Sequence, residues 1–125
     1  MGAPIGTGAG VPGSESGPAA YRAAGLAETL RGAGWRVADL GDVAPPPVPV
    51  PPHPNRAIRR LPETVGMIRG LTAAALEAGR RFALPVFLGG DHSLSAATIP
   101  AMALRARDAG RLPAGHDDAL CDDDL

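Results

Sequence analysis

Apolar positions along this chain recur with helical spacing in three places and with strand-like spacing in two. In "SGPAAYRAAGLAETLRGAG", Ala23, Leu26, Ala27 and Leu30 fall on one helical face. Ser16 stands in a capping position and Pro18 near the first helical position, and Gly32 or Gly34 ends the segment. "WRVADLGDV" follows, with Trp35, Val37 and Asp39 alternating against Arg36, Ala38 and Leu40, the period of a short strand. Residues 61–80 predict a second helix, with Leu61, Val65, Ile68, Thr72, Ala75, Leu76 and Gly79 on one face and Pro62 and Glu63 in the first turn. Gly66 and Gly70 weaken that helix and are read as leaving room for close packing on a sheet.

Residues 83–88, "ALPVFL", are apolar at every position, which suits a central parallel strand covered on both faces, with Pro85 at its start. A third helix is expected over residues 94–107, capped by Ser93 or Ser95, with Pro100 either kinking it or marking its true start. Helices alternating with strands indicate an α/β fold.

Glycine and proline punctuate the pattern. Residues 1–16 are glycine-rich, with Gly2, Gly6, Gly8, Gly10 and Gly13, and read as a loop. With no strand ahead of it, the segment is not a dinucleotide-binding fingerprint. Residues 44–54, "APPPVPVPPHP", exclude helix and central strand and favour polyproline II. A connecting loop is the ordinary meaning of such a segment, a ligand for an aromatic-grooved domain the alternative. His53 within it is expected to face solvent.

Composition changes this picture in three ways. With 17 Gly and 14 Pro in 125 residues, long irregular loops are expected even though a core is affordable. The formal charge is −1, with no strong field for nucleic acid or an anionic membrane. That balance hides an acidic tail: −5 over residues 112–125 leaves +4 on the remainder. A single cysteine, Cys121, excludes an internal disulfide and suits a reducing compartment. No run is long enough to span a bilayer, and "MGAPIGTGAG" has neither the charged start nor the apolar stretch of a signal peptide. A cytoplasmic location is expected. The domain reading is an α/β unit over residues 1–111 and an acidic tail, expected to be disordered, over residues 112–125.

The chemistry concentrates where the apolar strand stops. Open α/β sheets gather ligands at the carboxyl ends of their strands, and Leu88-Gly89-Gly90-Asp91-His92-Ser93 is such an end. The glycines are read as allowing a tight turn with no side chain blocking the mouth. His92 offers an imidazole nitrogen to a metal, and a nearby carboxylate can orient the ring. Taken alone, a hydrogen-bonded structural histidine is the commoner meaning of such a residue.

"LGGDHSLSAATIPA" resembles the first metal-binding signature of the ureohydrolases, the arginase and agmatinase family. "GAPIGTGAGVPGSESGPAAYRAAGLAETLRGAGWRVADLGDV" resembles the amino-terminal block of that family, and Glu15 and the "AGL" step favour arginase-like members. The resemblance spans about residues 2–108. It implies a three-layer fold with a mainly parallel sheet flanked by helices, and a pair of Mn2+ ions bridging a hydroxide at the strand ends. It implies attack of that hydroxide on the guanidinium carbon of arginine, or of agmatine or another guanidino compound, with release of urea. It places His92 as a ligand of one Mn2+, with Asp91 and Ser93 as supporting residues. Family members commonly form homo-oligomers.

The chain departs from that pattern at both ends. The family's next ligands stand in an Asp-Ala-His-x-Asp motif after another apolar strand, whereas residues 112–125 read "LPAGHDDALCDDDL". His116, Asp117 and Asp118 are suitable ligand types in the wrong order. Three readings stand for this tail: a divergent metal site, a solvated acidic tail, or out-of-frame translation of the expected strand, the last being favoured. At the start, the apolar strand that precedes the loop in the family is not found ahead of Gly2. The sequence therefore implies an incomplete sheet, at most one recognised manganese ligand, and no arginine hydrolysis by this chain alone.

Overall fold

The structure is a computed structural model that describes residues 1–55, 58 and 60–111. Expectations about the acidic tail fall outside these residues. In chain order the elements are β1 (Gly2–Ala3), a 3-10 turn (Ser14–Ser16), α1 (Gly17–Ala23), α2 (Leu26–Gly32), α3 (Leu61–Arg81), β2 (Leu88–Gly89), a second 3-10 turn (His92–Leu94) and α4 (Ser95–Asp108). The fold is α/β, with a small parallel sheet.

β1 and β2 pair in parallel, Gly2 against Leu88 and Ala3 against Gly89. The hydrogen bonding runs further than the two-residue strands. Met1 N donates to the Val86 carbonyl (3.0 Å), Leu88 N to Met1 (2.9 Å), Gly90 N to Ala3 (3.2 Å) and Asp91 N to Ile5 (2.9 Å). On its other side β1 meets Asp42 through a single parallel bridge, with Gly2 N donating to Gly41 and Val43 N to Gly2. The start of the chain, read from sequence as loop alone, thus supplies the middle of the sheet. Gly2 and Ala3 are both residue types depleted in strands; the pairing partner on each side decides the matter.

The expected strand over residues 35–43 reduces to that one bridge, and Trp35 is 56% exposed. The expected strand over residues 83–88 is regular only from Leu88, and it is not covered on both faces: Leu84 is 62% and Val86 44% exposed. Apolar content marks a segment fit for burial, but a strand forms only where a neighbour takes up its backbone groups.

The first expected helix divides in two. Gly25 adopts a left-handed conformation (φ 77°), ends α1 and begins α2, a break that a glycine tolerates without strain. Ser16 precedes α1 as anticipated, yet its hydroxyl donates to the Gly13 carbonyl (2.6 Å) instead of capping the helix. α3 matches its expected extent within one residue. Its buried residues are Gly66, Leu71, Ala75, Ala78 and Gly79, sharing only Ala75 and Gly79 with the face read from sequence. The reason is that α3 packs on two neighbours. Its carboxyl half lies on α4, where Gly79 meets the side chains of Met102 and Arg105. Its amino half lies on the proline-rich segment, where Gly66 abuts the Pro46 carbonyl and Gly70 the Pro45 ring. The close approach that these two glycines allow is to that segment, not to a sheet.

Pro100 lies inside α4 at an exposed position, so it neither starts the helix nor takes a place in the core, and its missing N–H leaves one bond of the helix unmade. Arg105 donates to the Phe82 and Ala83 carbonyls (3.3 and 3.0 Å), satisfying the chain just past the end of α3. Ala3, Leu71 and Ala97 form the buried centre, with Met1, Val43, Ile68, Phe87 and Leu94 packed around it. No helix among the described residues is long and apolar enough to cross a membrane.

Candidate functional site

The carboxyl end of β2 is the place where sequence and structure converge on one set of residues. Neither Gly89 nor Gly90 has a positive φ, so a tight turn is not what requires them. They are positions of close approach. A side chain on Gly90 would strike the Ile5 carbonyl, and one on Gly89 would strike the Leu94 side chain. The pair thus lets the ladder to β1 close at its last step and lets the turn after it fold back on the strand.

Asp91 follows in an extended conformation and caps the 3-10 turn His92–Leu94: its Oδ1 accepts from Ser93 N (2.8 Å). The cap that Ser93 or Ser95 was expected to give α4 is not formed: Leu94 stands at the head of that helix and no side chain caps it. Ser95 instead donates its hydroxyl to the His92 carbonyl (2.7 Å), holding the turn from the other side. The second Asp91 oxygen, Oδ2, accepts from Gly8 N (2.7 Å) and Ala9 N (3.2 Å), more than eighty residues away in sequence. Burial pushes the Asp91 carboxyl up. Hydrogen bonds from the Ser93 hydroxyl and N–H and from the Gly8 and Ala9 N–H groups outweigh it, so the pKa lies below the usual aspartate value.

The glycine-rich loop is therefore a fixed part of the strand end. Besides the Asp91 contacts, the Thr7 hydroxyl meets that of Thr64 in the first turns of α3 (2.7 Å). Gly8 is pressed against the strand end: a methyl there would lie 2.7 Å from Ser93 Oγ and 3.2 Å from Asp91 Oδ2. Sequence reasoning marked the loop as capable of close approach but missed its target. The only signal was the run of glycines itself, since a backbone N–H has no sequence signature.

His92 sits on this turn with its ring exposed to solvent. His53, expected to face solvent, is exposed in the proline-rich segment, where its Nδ1 accepts from Asn55 N (3.1 Å). Among the described residues no group of three or more His, Cys, Asp or Glu is arranged to hold a metal ion. The donor chemistry agrees. Asp91 is adjacent to His92, but both of its oxygens are taken by backbone N–H groups. A single exposed imidazole does not fit a two-metal centre, which needs several carboxylates to balance two divalent cations.

With this geometry in hand, the comparisons with known proteins are specific. The model of the Arginase family matches residues 1–114. The chain belongs to the arginase family. It is 48% identical over 111 residues to an arginase of Agrobacterium fabrum, covering 89% of this chain and 34% of that relative. It is 44% identical over 112 residues to an arginase of Brucella melitensis, covering 89% of this chain and 36% of the relative. Arginase-1 of Rattus norvegicus is 39% identical over 100 residues, covering 79% of this chain and 30% of its own length. The chain thus spans about a third of the length of the curated relatives it matches. No solved structure gives a significant match. The family resemblance read from the strand-end signature and the amino-terminal block is confirmed, over the amino-terminal portion of the family.

Proposed function

We propose that this chain supplies the amino-terminal part of a manganese-dependent hydrolase that converts arginine to ornithine and urea, with His92 as a ligand of one Mn2+. The observation that carries the proposal is an exposed imidazole at the carboxyl end of a parallel strand, inside a chain that matches arginases over nearly its whole length. Asp91 and Ser93 are supporting residues. In this reading the two-stranded sheet is one edge of a larger, mainly parallel, three-layer arrangement, and the exposed apolar side chains of residues 84–86 are faces that such an arrangement covers. The intact enzyme is cytoplasmic and homo-oligomeric, takes a small guanidino substrate, and binds neither nucleic acid nor membrane.

By itself the chain is catalytically inactive, because one imidazole cannot hold a two-metal centre. The test is urea release from arginine by the purified chain with added Mn2+, with agmatine as an alternative substrate. No turnover is expected on either. Turnover on arginine refutes the inactivity, and turnover on agmatine alone refutes the substrate as well.

A further inference from the structure

We propose that Asp91 is a positioning residue whose two oxygens divide the work of building the strand end: Oδ1 sets the turn that carries His92, and Oδ2 fastens the glycine-rich loop beside it. The proposal rests on the functional reading of this strand end only for its importance, not for its geometry. Oδ1 accepts from Ser93 N at 2.8 Å, and Oδ2 accepts from Gly8 N at 2.7 Å and Ala9 N at 3.2 Å. An ionised carboxylate is the one side chain that accepts on both sides, since it carries no donor to repel an N–H. The loop has been shaped to reach it. Gly8 leaves no room for a methyl between itself and Ser93 Oγ, and the Thr7–Thr64 contact anchors the loop one residue earlier.

The division makes a sharp chemical expectation. Asparagine has one accepting and one donating end, so Asp91→Asn can satisfy only one side. The contact with Ser93 N closes over two residues, whereas that with Gly8 and Ala9 closes over more than eighty. The local contact survives and the distant one is lost. Asp91→Ala loses both. Gly8→Ala reaches the same loop release from the other direction, with the carboxylate intact.

Amide hydrogen exchange on the full chain tests this, together with the rate at which diethyl pyrocarbonate modifies His92 relative to His53. In the native chain the Gly8, Ala9 and Ser93 amides are expected to be protected. In Asp91→Asn and in Gly8→Ala, exchange at Gly8 and Ala9 rises by about tenfold or more while Ser93 stays protected and the His92 modification ratio is unchanged. In Asp91→Ala all three amides exchange faster and the His92 ratio shifts. A general loss of stability moves both aspartate variants alike and changes the ratio in neither, and that outcome overturns the proposal. Native Gly8 and Ala9 amides exchanging at the rate of an unstructured peptide overturn it without any variant. Because no metal or turnover enters the measurement, it stands or falls apart from the hydrolase reading.

Discussion

Arg22 and Asp39 form a two-point ion pair, with Nε 2.6 Å from Oδ2 and the second terminal nitrogen 3.1 Å from Oδ1. The remaining terminal nitrogen of Arg22 reaches Asp42 Oδ1 at 2.6 Å. Asp42 is the residue that bridges to β1, so this guanidinium ties α1 to the edge of the sheet. The hydrogen bond from Arg22, and after it the Gly41 N–H, holds the Asp39 carboxyl down at about 2.

A carboxyl whose pKa is lower folded than unfolded stabilises the fold above its unfolded value and ceases to do so as pH falls through its folded value. The contribution of Asp39 is therefore fully present above about pH 4 and fades between about pH 4 and about pH 2. The pair is partly exposed, so Arg22→Ala is expected to cost only about 0.5–1 kcal/mol at neutral pH. Chemical denaturation of both proteins across the acid range checks this: the gap between their midpoints should close near pH 2.

Gly66→Ala is expected to destabilise the chain, reversing the usual gain of about 1 kcal/mol for that change inside a helix. The new methyl would meet the Pro46 carbonyl and the Pro47 Cα, both backbone atoms that cannot swing aside. A loss of about 1–3 kcal/mol is the ordinary cost of such overpacking. Thermal unfolding of the variant measures it.

Gly90→Ala is expected to cost a similar amount, about 1–3 kcal/mol, for a different reason. The methyl would displace the Ile5 carbonyl, which accepts from Asp91 N, and so opens the last step of the β1–β2 ladder. Amide exchange should show the loss first at Asp91, with α3 and α4 less affected.

These two glycines mark where the sequence was readable and where it was not. α3 could be placed within one residue because a long periodic segment carries its own signal. Which of its faces is buried could not, because Pro45 and Pro46 compete with the sheet for it and a proline run has no periodicity of its own. β1 was invisible because its residues are small and its existence depends on partners more than eighty residues away. At the candidate site His92 and its place at a strand end were legible. The second task of Asp91 was not, because its partners are backbone N–H groups of a loop that composition marks only as permissive.

The apolar side chains left open beside β2 make another expectation. Trp35, Leu84 and Val86 are 56%, 62% and 44% exposed, and Leu40 joins them at 41%. An uncovered strand edge flanked by such residues promotes association. The purified chain is expected to bind an apolar dye and to scatter light as its concentration rises. Leu84→Lys with Val86→Lys should reduce both signals while leaving the helical circular dichroism intact.

The most direct measurement joins residues 1–111 of this chain to the part of the Agrobacterium fabrum relative that lies beyond their match, and follows Mn2+ content and urea release from arginine. The joined protein should release urea, and His92→Ala should abolish release and lower Mn2+ affinity by more than the ~10–100-fold typical of residues outside the metal's own ligands. Unchanged manganese content and turnover in the His92→Ala protein would contradict the account, as would urea release by the unjoined chain.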